Sequence, residues 1–112
     1  NASAPDQGRR LSVRDWVRRN GLVAGINASM YQKDMRTSVS LMKTGNHVNS
    51  SWVSKDKTLL VFDPQDADLP PVQLVDRDCE DFDQIRKQYR TLIQSIRMVS
   101  CRGENVWAQQ PN

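Results

Sequence analysis

No stretch of this chain comes near the roughly 18 consecutive apolar residues that a membrane-crossing helix demands, and none of its 112 residues reads as part of such a span. Histidine is nearly missing: His47 stands alone, with Cys79 and Cys101 the only cysteines, so a structural zinc site lacks both ligands and ligand spacing. Aromatic residues make up 6% of the chain and are not interleaved with Lys or Arg along one strand, which argues against a base-stacking platform. The net charge of +3 comes from scattered groups, Arg9-Arg10, Arg18-Arg19, Lys55/Lys57 and Arg86-Lys87, with acidic residues between most of them. A nucleic-acid partner is therefore not indicated. The acidic cluster Asp78, Glu80, Asp81 and Asp83 has neither the ligand spacing nor the central glycine of an EF-hand loop. Internal repeats and low-complexity tracts are also missing.

What is present is the 38% hydrophobic, 26% charged mixture of an ordinary globular domain, in a chain long enough for a single core. Asn1-Ala2 reads as the remnant of a cleaved expression tag, and residues 1–10 as a polar, breaker-rich leader. Residues 11–112 then form the structured part. Ser12 predicts a helix N-cap with Asp15 three residues on. Leu11 and Trp16 stand at the staple positions, Arg18-Arg19 in the last turn and Asn20-Gly21 at the stop. Leu22-Val-Ala-Gly-Ile26 has the length and composition of a core strand that ends in Asn27 and leads to Tyr31.

Further strands are expected at Ser38 to Lys43, Thr58 to Phe62, Val72 to Val75 and Thr91 to Val99, with a short one at Val106 to Ala108. Val48 to Lys57 reads as a long loop anchored by Trp52. A second helix is expected from about Asp78 to Tyr89, where Phe82, Ile85 and Tyr89 share a face and the acidic start and basic end suit the dipole. The expected fold is α+β, a mixed β-sheet with flanking helices, with Ile26, Leu60, Phe62, Ile85, Ile93 and Trp107 inside. One disulfide and two free thiols both remain open for Cys79 and Cys101, because sequence does not supply the Cα separation.

Polar groups at the ends of apolar runs are the candidate site residues. Arg97 interrupts the run Leu92, Ile93, Ile96, Met98, Val99 and needs an anionic partner, since an unpaired buried guanidinium is very costly. That partner is either an aspartate of the chain or a bound phosphate or carboxylate held by the planar fork. Gln94 suits sheet-edge hydrogen bonding or ligand contact. His47 is a possible acid or base, though a lone loop histidine is more often simply exposed.

The order of short motifs resembles the phosphodiester glycosidase domain, the family of the lysosomal uncovering enzyme and its bacterial relatives. The family opens with a short helix, then a strand ending Asn-Ala-Gly-Met/Phe-Phe/Tyr, later a Gly-Leu pair and a strand beginning Gln-Ser/Asn. Here these are matched by Ser12 to Asn20, Asn27-Ala-Ser-Met-Tyr31, Ser40-Leu41 and Gln94-Ser95. A bacterial branch adds Val-Asn after the second strand and Gln-x-x-Arg in the later one, matched by Val48-Asn49 and Gln94 to Arg97. Ser29 and Ser40 stand where the family has glycines, and Ile96-Arg97 where the wider family has Gly-Pro.

The resemblance implies a hydrolase that cleaves a sugar from a phosphodiester. Arg97, Asn27 and Gln94 would be catalytic, and Tyr31, Asp34, His47 and Asn49 substrate-binding, with no metal ligands; a divalent cation is left open. Family domains continue beyond the length covered here. The resemblance therefore implies that 11–112 is an amino-terminal portion, completed by a second polypeptide segment lying against the Thr91 to Val99 strand. It further implies a periplasmic or extracellular site of action after removal of a signal peptide. The alternative from another class is a non-catalytic binding module for phosphorylated cell-envelope glycans; fold alone does not separate the two.

Overall fold

A computed structural model of the chain describes residues 10–109. The leader, all but Arg10, and the terminal 110–112 lie outside the described residues. The first element is helix α1, Val13–Arg19. Its start follows the expected chemistry: the Asp15 backbone N–H donates to the Ser12 hydroxyl at 3.1 Å, and that hydroxyl donates to the Asp15 carboxylate at 2.8 Å. Gly21, at φ +60, takes the left-handed position just past the end.

Five strands follow in the chain order β1 (Met42–Thr44), β2 (His47–Ser50), β3 (Thr58–Pro64), β4 (Val72–Asp76) and β5 (Tyr89–Ser95). Helix α2, Phe82–Gln88, lies between β4 and β5. The sheet order is β2-β1-β5-β3-β4 and every pairing is antiparallel, so the expected mixed sheet is corrected to an antiparallel one within an α+β architecture. Two hairpins, β1-β2 and β3-β4, account for this, because a short turn joins only antiparallel strands. Gly45, at φ +58, makes the tight turn of the first hairpin.

Asp81 caps α2 through N–H bonds from Asp83 and Gln84, which moves its start three to four residues later than the acidic cluster suggested. Cys79 and Glu80 instead donate their N–H groups to the Asp76 carbonyl in a preceding turn. Ile85 and Tyr89 pack with Leu41, Leu59, Val61, Val75 and Leu92 in the core, with Val53, Leu69 and Phe82 at its margin. The Tyr89 hydroxyl leaves this core by donating to the Pro70 carbonyl at 2.8 Å.

The core is the opposite phase of β3 from the one expected. Leu59 and Val61 are fully buried, while Leu60, Phe62 and Ile93 are half-buried on the second face. In register, Met42 faces Ile93, Ile93 faces Leu60 and Leu60 faces Leu74, an apolar row across four strands, with Leu74 exposed at its end. Ile85 is inside as expected, but Ile26 and Trp107 are exposed. Leu22 to Ile26 forms no strand, and all of its residues are exposed. The segment leans on its own helix: the Leu22 N–H donates to the Val17 carbonyl at 2.9 Å.

Three other expectations change. Val48 to Ser50 belongs to β2 rather than to a loop, and Trp52 is exposed and anchors nothing in the core. The last long strand stops at Ser95, and the Val99–Asn105 bridge closes a separate turn. Trp107–Gln109 is a single 3-10 turn, and Val106 rather than Trp107 is buried. β5 is paired by β3 from Tyr89 to Ser95 and by β1 from Thr91 to Ile93, so both sides of residues 91–93 are occupied within the sheet. No helix among the described residues is long and apolar enough to cross a membrane.

Candidate functional site

The sheet end nearest the Asn27–Tyr31 segment carries an open cleft of about 120 Å³, lined by Ser29, Met30, Val39, Ser40, Asp56, Gln94, Ser95 and Ile96. β5 brings Gln94 there. Its side chain is wholly buried and makes a full set of amide bonds. Oε1 accepts from the N–H of Ser54 at 3.0 Å and of Leu41 at 3.4 Å; Nε2 donates to the carbonyls of Ser54 at 2.9 Å and Asp56 at 2.7 Å. The reverse orientation would set N–H against N–H and oxygen against oxygen, so these partners fix the amide. Gln94 therefore staples the 51–57 loop to the central strand.

Arg77, just past β4, grips the same loop from elsewhere. Its Nη1 donates to the Ser54 carbonyl at 2.8 Å and the Asp56 carbonyl at 3.0 Å. The guanidinium also lies 4.9 Å from the Phe82 ring centroid, a cation–π distance. Two residues that sequence reading treated differently, Gln94 as a site candidate and Arg77 not at all, thus hold one pair of carbonyls.

The loop so held presents Asp56, the one ionisable residue lining the cleft among the described residues. Oδ2 lies 2.9 Å from the Ser40 hydroxyl and 2.9 Å from the Ser54 hydroxyl, and both are placed to donate to it; those hydroxyls are 2.8 Å apart. The Asp56 N–H donates back to the Ser54 hydroxyl at 3.1 Å. These contacts leave Oδ1 without a hydrogen-bond partner among the described residues. A second hydroxyl pair, Ser29 and Ser38 at 2.7 Å, stands beside this group. Ser29 and Ser40 thus both contribute hydroxyls to the cleft wall.

Of the residues expected to form the site, Gln94 alone lines this cleft. Asn27 and Tyr31 are not among its lining residues, although Ser29 and Met30 between them are; both are exposed, and Tyr31 forms a backbone bridge with Ser38. Arg97 turns away. Its Nη1 bonds Asp76 Oδ2 at 3.0 Å and Asp78 Oδ2 at 2.8 Å, so the aspartate partner of the two readings is the one present. It lines instead a separate hollow of about 360 Å³ with Asp78, Cys79, Ser100, Cys101, Arg102, Glu104 and Val106. The expected convergence of Asn27, Tyr31, Gln94 and Arg97 is corrected accordingly.

Asp34, Asn49 and His47 also lie outside the cleft lining. Asp34 holds its own loop, and the Thr37 hydroxyl, the Thr37 N–H and the Arg36 N–H lower its pKa to about 2. Asn49 Oδ1 accepts from the Ser38 N–H at 2.6 Å and its Nδ2 donates to the Arg36 carbonyl at 3.0 Å, a strut between β2 and the preceding loop. His47 opens β2 and is half-buried.

The Arg97 cluster is a structural clasp. Burial pushes the Asp76 carboxyl up, but the N–H of Asp78, the Arg97 guanidinium and the N–H of Cys101 outweigh it and hold the group below its ordinary range. Lys57, at 2.9 Å, and then Arg97 likewise hold Asp78 down. Cys79 and Cys101 form a disulfide in the same place, which settles the pairing. Asp76 Oδ and the two sulfurs lie close together, but the sulfurs are joined and the carboxylate is engaged by Arg97, so this group does not fit a metal ion.

Asp56 and Arg77 were missed because nothing in their local sequence marks them. Asp56 sits in a polar loop among serines and lysines, and Arg77 between two aspartates that look like its partners. Only the fold shows that Arg97 takes those aspartates. In comparisons with known proteins, no family model, curated protein or solved structure matches this chain.

Proposed function

We propose that this chain contributes the sugar-side wall of a hydrolase that releases a sugar from a glycosyl phosphodiester. The observation that supports this most is the Asp56 carboxylate, one oxygen tied by two serine hydroxyls and the other unengaged, in a cleft whose lining includes no cationic side chain. A phosphate monoester leaves readily, so the bond to the anomeric carbon needs little acid assistance. It needs a carboxylate to stabilise or trap the oxocarbenium-like centre, or to activate water. Asp56 has that role in this reading. Ser29 and the exposed Asn27 and Tyr31 would meet sugar hydroxyls, and Gln94 would act through the loop it holds. Arg97 serves the fold, and the phosphate lies outside the cleft, away from the carboxylate that would repel it.

The same reading includes a further polypeptide segment that covers the second face of the sheet. The half-buried Met42, Leu60 and Ile93 and the exposed Val72 and Leu74 support it, because a contiguous apolar face is ordinarily covered. Such a segment would pair at the outer edge of β2 or β4, the two edge strands of the sheet. The expected site of action is periplasmic or extracellular.

The test is release of free sugar from a panel of sugar-1-phosphodiesters, with Asp56→Asn beside the wild type. Loss of turnover on the order of 10²–10⁴-fold in a folded Asp56→Asn protein is expected for a carboxylate acting on the reacting centre. Calorimetric binding of the same compounds with no sugar released would favour the binding module. The absence of both binding and release would overturn the proposal.

A further inference from the structure

We infer that Arg77 is a positioning residue for the Asp56 carboxylate, acting through the backbone of the 54–56 loop. This rests on the reading of Asp56 as the site carboxylate, and it concerns a side chain that touches no substrate.

Arg77 is flanked in sequence by Asp76 and Asp78, the obvious counterions, yet both of them bond Arg97. A single Arg77 nitrogen, Nη1, donates to two neutral acceptors, the carbonyls of Ser54 and Asp56, while Nε is buried with no hydrogen-bond partner among the described residues. A guanidinium that forgoes nearby carboxylates for carbonyls, and leaves one donor unmet, is held by its surroundings rather than by its best available bonds. Phe82 supplies part of that hold through its ring face, and the Arg77 N–H donates to the Lys57 carbonyl at 2.9 Å.

The two carbonyls are the same pair that Gln94 Nε2 engages. Each oxygen uses both lone-pair directions, one toward β5 and one toward the end of β4. The Ser54–Lys55 and Asp56–Lys57 peptide planes are thereby fixed from two strands at once. Those planes carry the Ser54 hydroxyl and the Asp56 side chain, so the carboxylate direction is set before any ligand arrives. A rigid side chain on a loop needs such support, since loop backbone is otherwise mobile and an error of about 1 Å at a reacting group costs roughly 100-fold in rate.

Positioning and bulk stability separate experimentally. Carbodiimide coupling of an amine to exposed carboxylates, read by peptide mapping, reports how accessible Asp56 is in the free protein, with Asp63 and Asp66 as exposed internal standards. In Arg77→Gln the fork and the charge are lost, and labelling of Asp56 relative to those standards is expected to rise several-fold. Arg77→Lys keeps the stem and the charge and is expected to fall between that variant and the wild type; it carries the test if Arg77→Gln does not fold. On a sugar-1-phosphodiester that the wild type cleaves, kcat is expected to drop roughly 10- to 100-fold with KM little changed. Unchanged Asp56 labelling in a folded Arg77→Gln protein would overturn the inference, as would a loss carried by KM alone. If the wild type cleaves none of the panel while Asp56 labelling rises as expected, the proposed reaction fails and the positioning role of Arg77 stands.

Discussion

Leu22-Val-Ala-Gly-Ile26 and Leu59-Leu-Val-Phe62 are close to equivalent as strings of apolar residues, and they meet opposite fates. The second run is hydrogen-bonded on both sides, by β4 and β5, and sets Leu59 and Val61 against Ile85 and Tyr89. The first run has only the helix that precedes it. A Cβ placed on Gly25 would come 2.9 Å from a Val13 methyl and 3.0 Å from a Val17 methyl, so the backbone rests directly on α1, yet Val23 and Ile26 point away from it into solvent. An apolar run states a capacity for burial, and the neighbours that the rest of the chain supplies decide whether it is used.

The sharpest test of that difference is Leu59→Ala. It empties a fully buried position and should cost about 2–5 kcal/mol in urea unfolding, with the transition staying cooperative. Removing the bridge by Cys79→Ser with Cys101→Ser should come next. The cysteines are 22 residues apart in sequence, and the lost loop constraint is worth about 3 kcal/mol, read from the same unfolding curves. An effect near zero would mean that Arg97, Asp76 and Asp78 alone hold the 97–106 turn.

Acid comes third. Asp76 and Asp34 both have folded-state pKa values below the ordinary 3.8, so each contributes stability that is present above about pH 4 and lost as pH falls through the folded value. Asp76→Asn should visibly flatten the acid limb of stability against pH. Asp34→Asn should flatten it less, because the bonds of Asp34 go only to Arg36 and Thr37 within its own loop. Equal effects would show that this region unfolds together with the sheet. The smallest change is expected for Val23→Ser, within about 0.5 kcal/mol of wild type, as for an ordinary surface site. A loss of 1 kcal/mol or more, by the same measurement, would reveal a covering surface over Leu22 to Ile26.

Local chemistry was legible wherever one short stretch decides the outcome. The Ser12 cap, the strands around Leu60 and Leu74, and the face of α2 that carries Ile85 follow from capping groups, turn residues and spacing. The inner phase of β3 was not legible, because Leu59, Leu60, Val61 and Phe62 are apolar in both phases and a two-residue period has nothing to choose between. Arg97's need for an anion was readable, but the identity of that anion was not, since Asp76 and Asp78 lie on another strand's end. Asp56 was hidden for a related reason: its surroundings come from Ser40 before β1 and Gln94 on β5, residues that meet only when the sheet closes.

That closure has a consequence for the order of events on the way to the folded state. Among the described residues β5 is the last strand in sequence and the middle strand of the sheet, so the hairpins β1-β2 and β3-β4 share no edge with each other. During synthesis each emerges with one bare edge waiting, and neither can be sealed until Tyr89 to Ser95 has left the ribosome and slid between them. Contacts of such long sequence separation are slow to form, and the waiting edges are where unwanted strand pairing begins. The loop that carries Asp56 therefore gains its hold from the central strand only when Gln94 arrives.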